Sequence, residues 1–181
     1  MRLRPHLGAA VIVWCASLLL LAAQPARAQY TDPPSTAPNY WISVGAGSGS
    51  AGNSSSLLAE VASAWISRGT LVGGIRKANV EPWDYGDESS DVAMLVGLRT
   101  PPSVAALIGT VGYSRVSTRC AFQPCPGDYS PTASGALAFS VQGQLNTRVF
   151  GVGVELFGAR GSALNRFTAV ALTLQLGSFA R

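Results

Sequence analysis

Gly135 to Gly158, GALAFSVQGQLNTRVFGVGVELFG, decides how the rest of the chain is read. In its first half Leu137, Phe139 and Val141 alternate with Ala138, Ser140, Gln142 and Gln144. In its second half Phe150, Val152, Val154 and Leu156 alternate with Gly151, Gly153 and Glu155. A period of two puts each set on one face of a strand. One face is apolar and the other small or polar, and the short polar joint at Gln144 to Thr147 suits an antiparallel hairpin.

The same template places eight segments: Tyr40–Ser48, Ser56–Ile66, Thr70–Ala78, Ser90–Arg99, Ala105–Val116, Gly135–Gln144, Arg148–Gly158 and Phe167–Gly177. Each has about the length that a tilted strand needs to cross a bilayer, ~9–11 residues. The joints between them alternate in kind. Gly49–Ser55, Asn79–Ser89, Ser117–Ser134 and Ala159–Arg166 are long and polar. Ser67-Arg68-Gly69, Thr100-Pro101-Pro102-Ser103 and Leu145-Asn146-Thr147 are tight turns. A hairpin repeated around a closed barrel, with long loops at one end and short turns at the other, produces that order.

Ahead of the first strand, Arg2 and Arg4 precede an apolar run from Leu7 to Ala23, and Gln24-Pro25-Ala26-Arg27-Ala28 ends in a small-x-small pattern. This reads as a secretory signal peptide over residues 1–28, cut between Ala28 and Gln29. An uncleaved anchor is the other reading, for which the run is short of the ~20 residues a spanning helix needs. Residues 29–39, with three prolines, form an extended lead-in to a barrel domain over residues 40–181. Cleavage removes Arg2, Arg4, Arg27, Cys15 and the only histidine, His6, and the apparent basicity falls nearly to neutrality. No Lys/Arg stripe remains for nucleic acid. Charged residues are 12% of the chain, about half the ~25% of soluble domains, so a wetted exterior is poorly supplied.

The faces can then be assigned. The apolar parity, taken as outward, shows Ile42, Val44 and Ala46; Leu57, Ala59, Val61 and Trp65; Val92, Met94, Val96 and Leu98; Leu107, Val111 and Tyr113; and Val170, Leu172, Leu174 and Leu176. The inward parity collects Ser43, Asp91, Arg99, Thr110, Ser114 and Thr173, together with a polar cluster of Glu60, Arg76, Gln142, Gln144, Glu155 and Gln175. An eight-stranded barrel has room inside for side chains and little more, so these charges must pair or hydrogen-bond. A polar plug is the structural reading; a proton or ion path is the functional one. Exchanging the faces gives the alternative, a soluble periplasmic lipocalin-like barrel with an apolar cavity for a small ligand.

A signal peptide, eight alternating strands, four longer loops and three short turns resemble the small outer-membrane barrels of the OmpA-transmembrane-domain and OmpX type. The resemblance spans Tyr40 to Gly177 and is one of pattern. It implies an eight-stranded antiparallel up-and-down transmembrane barrel in the outer membrane of a Gram-negative envelope, with a structural or surface-interaction role. Its implied partners are outer-membrane lipid, lipopolysaccharide and the outer-membrane assembly machinery, and the expected state is a monomer. Such chains commonly end on an outward aromatic residue, whereas Phe179 falls on the inward parity and is followed by Ala180 and Arg181.

Remaining features are weaker. Cys120 and Cys125 flank four residues in the longest loop and, in an oxidising compartment, are expected to form a disulfide worth roughly 2 kcal/mol. With no histidine after cleavage, a zinc site and a Ser–His lipid-cleaving centre both lack a partner, so no cofactor, metal or catalysis is expected. Glu81, Asp84, Asp87 and Glu88 crowd the second long loop without the spacing of a calcium loop, and read as a solvated loop. Tyr40, Trp41, Trp65 and Phe150 toward one end, and Tyr113, Phe157 and Phe167 toward the other, suggest two interfacial aromatic girdles.

Overall fold

The computed structural model describes residues 38–51, 54–81, 87–101, 104–120, 132–161 and 166–179. The signal peptide, residues 29–37 of the lead-in and Cys125 lie outside them, so the cleavage site and the disulfide do too.

Eight strands follow one another: β1 Asn39–Ala51, β2 Ser54–Arg68, β3 Leu71–Glu81, β4 Asp87–Arg99, β5 Ala105–Cys120, β6 Thr132–Asn146, β7 Phe150–Arg160 and β8 Arg166–Ser178. Each pairs antiparallel with its sequence neighbours, and β1 pairs with β8, closing an up-and-down barrel. The alternating residues choose strands for a plain reason: only closure leaves no unpaired edge once one side of every strand must face outward and the other inward. The short turns hold the register. Gly69 takes the left-handed conformation (φ 60°) between β2 and β3. Thr147 pins the β6–β7 turn, its hydroxyl accepting from the Phe150 amide at 3.0 Å.

The register also measures the barrel. A row of cross-strand partners starting at Trp41 passes through Trp65, Gly74, Leu95, Gly112, Ala138, Ala159 and Phe167, and returns to β1 at Ala51, ten residues beyond its start. Such a stagger on eight strands tilts them by about 40° and leaves an interior that side chains fill.

Outward faces carry the apolar belt expected of them. Ile42 and Val44 on β1, Val92, Met94, Val96 and Leu98 on β4, Val111 and Tyr113 on β5, and Leu172, Leu174 and Leu176 on β8 are exposed, Met94 and Leu172 to 72% each. The strands outrun their sequence bounds at the long-loop end. β1 continues to Ala51 and β2 begins at Ser54, so the stretch Gly49–Ser55 is mostly strand and not a long loop. Asn39, expected in the lead-in, is the first residue of β1 and buried.

Strand β2 corrects the face assignment. Ala59, Val61 and Trp65 point into the barrel, while Glu60, Ala62 and Ile66 point out. Its two faces are nearly equal in hydropathy, so neighbours decide. Pairing Trp65 with Trp41 on one side and Gly74 on the other places the indole in space that Gly74 leaves empty: a Cβ there would lie 2.3 Å from Trp65 Cε3. The girdles are corrected with it. Tyr40, Phe150 and Tyr113 do face outward, but Trp41, Trp65, Phe157 and Phe167 are interior.

Candidate functional site

The inward parity builds a layered interior. At the short-turn end Trp41 stacks on Trp65 with centroids 6.1 Å apart, and Phe179 lies against Trp41 at 6.0 Å. Val72, Leu95 and Ile108 complete that apolar layer. At the loop end Phe157 meets Phe167 edge-on at 6.3 Å, among Val61, Val80 and Val116. Polar residues lie between and beside these layers. Phe179 being buried, the inward reading of the C-terminal aromatic stands.

Arg76 is the hub of the polar layer. From β3 its guanidinium crosses the lumen, donating through Nη2 to Asp91 Oδ2 on β4 at 2.6 Å, through Nη1 to the Phe139 carbonyl on β6 at 2.8 Å, and through Nη2 to the Gly158 carbonyl on β7 at 3.2 Å. It also sits over the Phe157 ring, 5.2 Å from the centroid. Both partners of the ion pair have fully buried side chains. Two charges taken out of water cost several kcal/mol each, and the pair is supported by carbonyls of two further strands, each accepting one more guanidinium hydrogen bond.

A ladder of side chains climbs the inner face of β6 toward this hub. Asn146 donates to Gln144 at 3.2 Å, Gln144 to Gln142 at 2.8 Å, and Gln142 to the Ser140 hydroxyl at 3.3 Å. Ser140 donates to Glu155 Oε1 at 2.8 Å. The period of two that made the hairpin legible stacks these groups, since residues two apart share a face. Gln175 on β8 stands beside the ladder and donates to Thr173 at 3.4 Å. Nearer the short-turn end Arg99 donates to Ser67 at 2.9 Å and lies over the Trp41 ring, 5.8 Å from its centroid.

Of the six residues expected in the interior cluster, Arg76, Gln142, Gln144, Glu155 and Gln175 are there, all at 2% exposure or less. Glu60 is not. It lies on the outer wall because β2 is inverted, and the counter-charge to Arg76 is Asp91. Asp91 had the correct parity, and the β3–β4 register, which pairs Ala78 with Asp91 and Arg76 with Ala93, is the signal that joins them. Ser140, the donor to Glu155, shares the β6 parity with Gln142 and could have been found from it. Of the acidic loop, Glu88 holds Arg119 bidentately at 2.7 and 2.9 Å on the barrel rim, and Asp84 lies outside the described residues.

Chemically this interior is a cross-brace. Aromatic and branched aliphatic side chains pack across the lumen toward both ends, and the Arg76–Asp91 pair between them is spent on strands of the wall itself. It ties β3, β4, β6 and β7 together through one guanidinium.

The architecture is that of a small eight-stranded up-and-down barrel with an apolar exterior and a packed polar interior. Its fold is similar to the N-terminal β-barrel domain of Pseudomonas aeruginosa OprF (TM-score 0.59, 9% identity, covering 77% of this chain and 96% of that one). It is also similar to neisserial surface protein A (0.52, 11%, 80% and 99%) and to Ail, the attachment invasion locus protein of Yersinia pestis (0.50, 11%, 78% and 96%). No protein-family model and no curated protein matches the sequence.

Proposed function

We infer that this chain is a small outer-membrane barrel of a Gram-negative envelope, with a structural or surface-interaction role carried by its loop end and no catalysis. The observation that carries the reading is the outward belt of exposed Leu, Val, Met and Tyr around a sealed polar interior. In water such an exterior is an aggregation surface; in hydrocarbon it is the favourable one. A lipocalin-like carrier needs the opposite distribution, with Leu172 and Met94 lining a cavity.

Outer-leaflet lipid is the first partner. At the loop end three arginines, Arg115, Arg160 and Arg166, are exposed on the outward face just past the belt, and Arg160 and Arg166 stand directly opposite each other on β7 and β8. Like charges so placed repel unless an anion lies between them. Phosphates of lipopolysaccharide supply one. The assembly machinery is the second partner, and it would meet a C-terminus whose aromatic residue is packed against Trp41.

Fractionation of cells producing the full chain tests the reading. The protein is expected in the outer membrane, resistant to carbonate and urea, and migrating differently on gels before and after heating. Recovery in the soluble periplasmic fraction would refute it. A lipid-modifying activity has no observation in its favour.

A further inference from the structure

The outer wall of β1 to β3 breaks the belt. Glu60 on β2 and Lys77 on β3 both point outward and are exposed, with Asn79 beside them. Lys77 is directly opposite Val92 on β4, and Glu60 shares its cross-strand row with Ala46 and the exposed Leu172. Both charges therefore stand at belt height, where hydrocarbon disfavours them strongly unless they are paired. The wall around them is an open concavity over Ala46 and Ala62, whose small side chains leave the backbone approachable.

We propose that this face joins a second copy of the same chain, side by side in the membrane about a two-fold axis along the barrel direction, with Glu60 of each copy against Lys77 of the other. The charge pattern argues for self-association. One acid and one base on a single patch complement themselves under a two-fold rotation, as an isologous interface requires, whereas an anionic lipid would want bases alone. Height argues for it too. A two-fold axis along the barrel preserves height, so the partners must lie level. Lys77 is opposite Ala62, and Glu60 is two residues from Ala62 toward the loop end. The row from Trp41 to Ala51 climbs toward that end from β2 to β3. At ~3.3 Å per residue, ~4.8 Å between strands and ~40° of tilt, Glu60 and Lys77 fall about 2 Å apart along the axis. Ala62 then meets its counterpart at the centre.

The pair rests on the outer-membrane reading and replaces the monomer expected from the sequence. It is tested by sedimentation of the full chain, purified from membranes in detergent, with Glu60→Lys, Lys77→Glu and Ala62→Trp variants and a one-to-one mixture of the two charge variants. Wild type is expected to sediment as a dimer, and each charge variant alone to weaken association by roughly tenfold or more. Mixing them restores opposite charges across the interface while leaving each chain without its own pair, so the mixture is expected to recover the dimer. Ala62→Trp is expected to abolish it. Heat-modifiable migration of each variant reports that the barrel is folded. A monomeric wild type, alone or carrying lipopolysaccharide, overturns the proposal, as does a dimer indifferent to Ala62→Trp or a mixture no better than its components. Failure of wild type to reach the membrane would instead sink the localisation and leave this interface without its reason.

Discussion

At Arg76 a single side chain closes contacts with Asp91, Phe139 and Gly158 from three other strands. Replacing it by Met strands a buried carboxylate and is expected to lower stability by about 3–5 kcal/mol, whereas Arg76→Met with Asp91→Leu, which removes both charges, should recover most of the loss. Urea unfolding in lipid vesicles, followed by tryptophan fluorescence, measures both; a single variant as stable as wild type would contradict the brace. Gly74 makes the complementary case, in which the missing side chain matters. Gly74→Ala drives a methyl into Trp65 and is expected to cost about 1–3 kcal/mol. The cost should shrink in a Trp65→Leu background, and a double-mutant cycle gives that coupling directly.

Strands β1, β4, β5, β6, β7 and β8 were readable because each has one face that is clearly apolar. β2 was not, since Leu58, Ala62 and Ile66 on one parity match Ala59, Val61 and Trp65 on the other; the inversion comes from pairing with β1 and β3, which no single strand contains. Glu60 lies outside for that reason alone, while Gln142, Gln144, Glu155 and Gln175, on strands with distinct faces, lie inside as their parity indicates, as does Arg76 on β3. Aromatic residues misled for a related cause: ring size says nothing of parity, and Trp41, Trp65, Phe157 and Phe167 plug the lumen instead of ringing it. The β2 assignment predicts that a cysteine at position 66 carries a label reached by lipid-phase quenchers, and that a cysteine at position 65 does not. The end of β8 gives a second test. Phe179 packs on Trp41, and its amide donates to the Arg148 carbonyl at 3.0 Å. Phe179→Ala is expected to cost about 3 kcal/mol by cavity formation, measured in the same unfolding assay.

For the whole molecule, apolar layers pack across the lumen on either side of the Arg76–Asp91 pair, so the barrel is expected to show no steady conductance in planar bilayers at neutral pH. Stable open steps would mean that the layers part more readily than their packing allows. Opening one end alone, with Trp41→Gly and Phe179→Gly together, should still yield a closed barrel because Phe157 and Phe167 remain at the other. The closing seam carries a different consequence. Its hydrogen bonds join β1 to β8, the most distant strand partners in the barrel, so a polypeptide still being made can form hairpins but cannot shut the wall. Until Arg166–Ser178 arrives, two bare edges persist, each able to capture a neighbour's strand. A cell making this protein must therefore escort the entire length before any of it is safe, and a message cut short within its final codons yields a sticky fragment where a shorter barrel might have been imagined.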